Sequence, residues 1–496
     1  MRHIFIIICG LFCYSVLSAQ NPLVTSDSLG QQAWVNSQYA QMSLDEKLGQ
    51  LFMVSVASNQ SKQATDKIKN LIVQEHLGGV IFSKGGPVRQ AKLTNNYQAV
   101  SKIPLLIGMD AEWGLSMRLD STYAFPWNMT LGAIQDSSIV ERVGYQIGKH
   151  AKRLGVHINF APDLDINTNP KNPIIGNRSF GENRDNVVQK GIAFIKGMER
   201  AGVLANGKHF PGHGDTEVDS HHNLPIIPFS RKRLDSLELY PFKKIIGSGL
   251  SSIMVAHLEV PALEMKKELP SSISEQIITG ILKEELGYNG LIFTDALNMK
   301  GVSTTGKEGS VELAAFMAGN DMLLMPENIV SAKEKLTKAY EKGKLTEDRL
   351  AYSVKKILMA KYKAGLHHYK PIKLENLYND LNGLEDDIVY EQAIENAITV
   401  VKNKLDLLSI KNLDNKKIAY VKMGNSDNEA FVQGLKNYAE VTVIEASDIT
   451  TLKTRLKEFN LIIVGHHMNN ESPWKSYKFS NSELEWLQEI ANERTS

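Results

Sequence analysis

Residues 208–222 read KHFPGHGDTEVDSHH: four histidines, two aspartates, a glutamate and a lysine in fifteen positions, with few apolar side chains. Pro211, Gly212 and Gly214 break any regular helix or strand, so the stretch is a loop. Two kinds of chemistry fit it. His209 and His213 are four apart, the spacing of two metal ligands on one helical face. The breakers deny them that helix, and neither an HExxH pattern nor a cysteine ligand accompanies them. A histidine–aspartate metal centre therefore stays open on spacing alone, although no metal or other cofactor is expected. The acid–base alternative uses Asp219 and His221, which flank Ser220 and can point the same way from an extended loop. A carboxylate beside an imidazole fixes its tautomer and raises its pKa, making it able to give and take a proton near neutrality. A solvated surface loop explains any one of these residues, but not their place after a strand.

A proton donor needs a partner that does covalent work. Asp295 in GLIFTDALNMKG follows an apolar run, with Thr294 and Asn298 beside it, and is the candidate nucleophile; the plainer role is a helix N-cap. PLLIGMDAEWG repeats the arrangement with Asp110 and Glu112, followed by Trp113, whose ring can stack on a sugar. NRSFGENRD adds Arg178, a donor to hydroxyl or carbonyl oxygens. Carboxylates, arginine, lysine and an aromatic together suit a neutral polyhydroxylated ligand.

These residues need elements to bring them together. Eight short apolar runs, at 50–56, 78–83, 104–110, 157–166, 203–210, 251–260, 290–299 and 321–327, alternate with helix-like segments such as 138–155, 230–249 and 271–287. Each run suits a strand buried on both faces. Run after run ends in polar groups: Asp110, Glu112, Asp163, Asp165, Lys208, His209, His257, Asp295, Asn298. A (β/α)8 barrel collects such ends on one catalytic face, and it is the expected fold over 35–366; an open doubly wound sheet is the alternative. A linker is expected at 367–390. Residues 391–496, with strand-like runs at 417–424, 440–447 and 461–469, read as the start of a second α/β domain. Three strands are thin for a domain, so a piece of a longer chain is expected.

Lys+Arg and Asp+Glu number 56 and 55, leaving no basic field for nucleic acid. MRHIFIIICGLFCYSVLSAQ has a basic start, an apolar run to Leu17 and small residues at Ser18 and Ala19, the layout of a cleaved secretory signal over 1–19. The run is short for a spanning helix, which needs about 20 apolar residues. Export to the periplasm or beyond is expected, with no stable membrane insertion after cleavage. Both cysteines, Cys9 and Cys13, lie inside this segment, so the mature chain would hold neither disulfide nor thiolate.

GKHFPGHGDTEVDSHHNLP, GNRSFG and FTDALNM, together on a barrel, resemble glycoside hydrolase family 3, in its β-N-acetylhexosaminidase branch. The resemblance covers about residues 40–400. It implies a retaining glycosidase in which Asp295 attacks the anomeric carbon and the glycosyl-enzyme is then hydrolysed. Glucosidase-like members take their acid/base from a glutamate of the second domain; this branch uses an Asp-x-His pair, here Asp219 with His221. Asp110 and Arg118 resemble the aspartate and arginine of the family's Asp-x-Glu-Gly-Gly segment. Arg178, Lys208 and His209 match residues that hold N-acetylglucosamine. Trp113 departs from the pattern, standing where that segment has glycine, and its indole would narrow or re-aim the pocket. The resulting expectation is an exo-β-N-acetylglucosaminidase acting on peptidoglycan fragments or chitooligosaccharides. A phosphorylase or β-glucosidase of the same family is the near alternative, and a metal-dependent hydrolase or a non-catalytic carbohydrate-binding protein the distant one. Oligomeric state is unknown from the sequence.

Overall fold

Each of the eight apolar runs contains a strand: β1 (Phe52–Ala57), β2 (Gly79–Lys84), β3 (Leu106–Met109), β4 (Ile158–Asn159), β5 (Leu204–Phe210), β6 (Ser252–Val255), β7 (Leu291–Thr294) and β8 (Leu323–Leu324). The structure is a computed structural model that describes residues 21–220, 223–303, 305–306, 308–469, 472 and 478–494. The expected signal segment and His221 lie outside the described residues. All neighbouring strands are parallel, in the order β7-β6-β5-β4-β3-β2-β1-β8. The two ends of that order meet: Phe293 bridges Met322, and the Thr294 N–H donates to Met322 O at 3.1 Å. Sequential order plus closure distinguishes a barrel from an open doubly wound sheet, whose order reverses at a switch point.

Closure buries both strand faces, which is why the runs are continuously apolar rather than alternating. Inside, Phe160 and Phe293 meet edge to face at 5.1 Å, and a Cβ on Gly108 would lie 2.8 Å from Phe160 Cε2. Several outer helices start on polar caps. Ser43 and Glu46 form a reciprocal capping box, while Asp136 and Asn183 cap the helices Ser137–Arg153 and Arg184–Arg200. Those two helices pack closely through glycines; a Cβ on Gly197 would sit 2.1 Å from Glu141 O.

The chain divides into two units, Met1–Ala397 and Ile398–Ser496. The expected linker, 367–390, is instead packed into the first unit: Leu377, Leu381 and Val389 are buried in its apolar cluster. Asp386 explains why. It lies 3.0 Å from His150 Nε2, accepts from Gln146 at 2.7 Å, and is as buried as His150. A buried carboxylate with two barrel partners cannot belong to a free tether. In the second unit β9 (Ile418–Gly424) lies between β10 (Val441–Val443) and β11 (Leu461–His467), all parallel. Ala419, Val421 and Met423 face one apolar cluster, Ile418 and Tyr420 the other, as the period of two requires. No helix among the described residues is long and apolar enough to cross a membrane.

Lys361 carries an avoidable cost. It is fully buried on the helix Glu347–Lys363, its Nζ donates to Gln50 Oε1 at 2.5 Å, and burial pushes its ammonium down to about 7. An unfolded lysine titrates near ~10.4, so the penalty is full below about pH 7 and fades as pH rises toward 10. Lys361→Met is expected to raise Tm at pH 6–7, by on the order of a few kcal/mol in stability, and the gain should shrink by pH 10. Thermal melts of both proteins across that range check this.

Candidate active site

The strand ends place their polar groups at one mouth. Asp110 and Glu112 follow β3, Asp163 and Asp165 follow β4, Lys208 and His209 close β5, and Asp295 follows β7. β4 continues as a bridge: Leu164 N–H donates to Lys208 O at 2.7 Å, so the β4 and β5 ends stay in register. The result is a chain of contacts. Arg118 donates to Asp110 Oδ2 at 2.7 Å and Lys208 to Asp110 Oδ1 at 2.9 Å. Lys208 Nζ also lies 2.8 Å from Glu112 Oε1, and Glu112 accepts Arg178 in a fork at 2.8 and 3.0 Å. Arg178 Nη2 reaches His209 Nε2 at 3.5 Å, and His209 Nδ1 lies 2.7 Å from Asp165 Oδ2. An arginine can only donate, so Nε2 accepts and the ring proton sits on Nδ1, given to Asp165.

Charge and burial set the protonation states. Burial alone would raise Asp110 and Glu112; Lys208 and Arg118 hold the first far below the usual range, and Arg178 and Lys208 hold the second at about 2. Asp163 goes the other way, pushed up by burial and by the neighbouring Asp165 against Arg178. Burial takes His209 and His213 down to about 4, against the pull of Asp163 and Asp165. The mouth therefore presents fixed anions, fixed cations and neutral imidazoles, a set that can orient hydroxyls without selecting a charged ligand.

All five expected sugar-holding residues, Asp110, Arg118, Arg178, Lys208 and His209, fall in this one network. Asp295 is half-buried, held by its N–H to Val255 O at 2.8 Å, and its charge reaches His209 and His213. Asp219 is half-buried, and its carbonyl accepts from Asn223 N–H at 3.2 Å. His209 and His213 do not act as a ligand pair: His213 is occupied by Thr216 at 2.9 Å and Ser220 at 3.2 Å. The cluster whose atoms converge is instead Asp163, Asp165 and His209, within 4.8 Å of one another, with the Arg178 guanidinium 3.5 Å from Asp163.

Residues 43–360 match the family described as "Glycosyl hydrolase family 3 N terminal domain". The chain is 32% identical over 488 residues to Beta-hexosaminidase A of Pseudoalteromonas piscicida, covering 90% of this chain and 80% of that one. The chain belongs to glycosyl hydrolase family 3. Its structure is similar to that of a family 3 β-N-acetylglucosaminidase from Paenibacillus sp. str. FPU-7 (TM-score 0.72, 30% identity, 91% of this chain and 88% of that one). It is also similar to the β-glucoside phosphorylase BglX (TM-score 0.75, 26% identity, 93% and 86%). As a family 3 member the protein is a glycoside hydrolase.

Glu112, Asp163 and Asp165 stood among the polar strand ends but not among the expected site residues of this family 3 enzyme. Their position was the available signal; their partners lie 15 to 96 residues away in sequence and could not be read from it. Trp113, at the departure from the family's glycine, is half-buried and meets Trp127 edge to face at 6.3 Å. Asn128, next to Trp127, donates to Arg178 O at 2.7 Å.

The two buried imidazoles make stability fall on the acid side. Between about pH 6.5 and 4 the unfolded chain takes up protons that the folded rings refuse, and each ring forfeits on the order of 3 kcal/mol across that window. In thermal melts His213→Gln is expected to lose less Tm than the parent between pH 7 and 4.5.

Proposed function

We propose that the protein is an exported retaining exo-β-N-acetylglucosaminidase, removing terminal β-linked N-acetylglucosamine from peptidoglycan fragments or chitooligosaccharides. The observation that carries this is the Asp110–Lys208–Glu112–Arg178–His209 network, which converges the sugar-matching residues in one mouth with Asp295. The relatives' names, a β-hexosaminidase and a β-N-acetylglucosaminidase, point the same way.

In this scheme Asp295 attacks the anomeric carbon as the glycosidic C–O bond breaks, and His221, oriented by Asp219, gives its proton to the leaving oxygen. The neutral His221 then takes a proton from water, whose oxygen attacks the same carbon and releases Asp295. Asp110, Arg118, Lys208 and His209 hold hydroxyls, and Arg178 holds a hydroxyl or the acetamido oxygen. A neutral imidazole repels an incoming anion less than a carboxylate would, and one structural relative is a phosphorylase. Phosphate in place of water is therefore the second reading.

Asp295→Ala should abolish turnover of an aryl N-acetyl-β-glucosaminide. His221→Ala should cost on the order of 10²–10⁴-fold on a natural disaccharide but much less on an activated aryl glycoside, which departs without protonation. Wild-type rates for both variants on the disaccharide would sink the assignment. Running the assay with phosphate separates hydrolysis from formation of a sugar 1-phosphate, and turnover that chelator abolishes would mark a metal-dependent hydrolase.

A further inference from the structure

The loop that carries Asp219 is gripped from two sides by groups outside the sugar-binding network. On one side is His213, which is buried. Its Nε2 lies 3.2 Å from Ser220 Oγ, its Nδ1 lies 2.9 Å from Thr216 Oγ1, and its N–H donates to Asp165 Oδ1. Asn172 Nδ2 donates to the carbonyls of His213 and Gly214 at 2.8 and 3.1 Å, and a Cβ on Gly214 would lie 2.0 Å from Ile166 O. The neck of the loop is thus locked to the segment after β4.

On the other side is Gly301, six residues beyond Asp295 in the short helix Lys300–Ser303. Its N–H donates to Ser220 O at 3.2 Å. A Cβ there would lie 2.8 Å from Ser220 O, 3.1 Å from Asn223 O and 3.4 Å from His257 Cβ. Gly301 is helical, so its glycine is needed for space, not for a special backbone angle. The first two neighbours are backbone carbonyls on either flank of residues 221–222, with no flexible end to swing away. The third does not yield either. His257 is fully buried, with Nε2 2.9 Å from Ala296 O and Nδ1 2.6 Å from Ser272 Oγ. Met299 and Val302, beside Gly301, are buried as well.

We propose that Gly301 and His213 are positioning residues that clamp Ser220, and so set the distance between the proton-transfer loop and the nucleophile Asp295. The proposal rests on the retaining mechanism above. Proton donor and nucleophile must meet the glycosidic bond together, and about 1 Å of misplacement costs on the order of 10²-fold. Gly301 belongs to the nucleophile's own loop and helix, so its backbone contact passes the register directly from one half of the machinery to the other.

The test uses the full chain, with kcat/KM measured on an N-acetylglucosamine-terminated disaccharide and on a dinitrophenyl N-acetyl-β-glucosaminide. Gly301→Ala should lose about 10- to 100-fold on the disaccharide and less than about 3-fold on the dinitrophenyl glycoside. Ser220→Ala, which releases His213, should shift the ratio in the same direction by a smaller factor. In a His221→Ala background, Gly301→Ala should add less than about 2-fold on the disaccharide, because the route it disturbs is already gone. Equal losses on both substrates, no loss, or full additivity with His221→Ala overturns the clamp. If Gly301→Ala does not fold, the substrate ratio in Ser220→Ala decides alone. Asp295→Ala assayed alongside keeps the two ideas apart: turnover by that variant overturns the retaining mechanism and the clamp together, whereas a loss in Gly301→Ala that ignores the leaving group overturns the clamp only.

Discussion

Lys208, Glu112 and Arg178 stand almost out of water, and the half-buried Asp110 joins them in one continuous chain of contacts, two anions and two cations. Any one of them alone in that place would be strongly disfavoured, since a buried ion is tolerated only with a close, well-aligned partner. The requirement is mutual and spans two strands and the turn Gly176–Arg178. Once Glu112 takes the Arg178 fork and Lys208 bridges both acids, the ends of β3 and β5 and that turn have no freedom to separate. The side chains proposed to hold the sugar are therefore also the ones that hold the mouth together.

From that web the local electrostatics follow. The paired acids stay ionised, Asp163 is driven toward its protonated form, and His209 stays neutral with its proton directed at Asp165. A site so balanced has little use for a charged substrate and many fixed donors and acceptors for hydroxyls. Around it, support comes from elements far along the chain. The segment before Ala397 buttresses the loop after β3, where Tyr123 donates to Asp387 at 2.9 Å and Tyr123 N–H to Leu381 O. Gly301 and His213 do the corresponding work for the loop after β5.

Much of this was legible in the chain. The eight apolar runs, their spacing and their polar ends specify a barrel, because a strand buried on both faces must be apolar throughout except where it emerges. Asp110, Arg118, Arg178, Lys208 and His209 carried motif signals that named them together, and they meet in one network. Residues 367–390 were less legible. Their polar, loosely patterned sequence looks like a tether, since the buried positions Leu377, Leu381, Asp386 and Val389 are few and widely spaced. Only the partners, His150 and Gln146, show that Asp386 is structural.

By itself the sequence determined the elements, the face on which chemistry collects, and the residue types available there. These depend on local periodicity and on short motifs, which a linear chain displays. The tertiary structure decided which carboxylate meets which cation, that Glu112 and Asp165 are partners of Arg178 and His209, and that Gly301 must be small. Those facts depend on distances between residues tens of positions apart, set by strand register and barrel closure, and a linear pattern does not contain them.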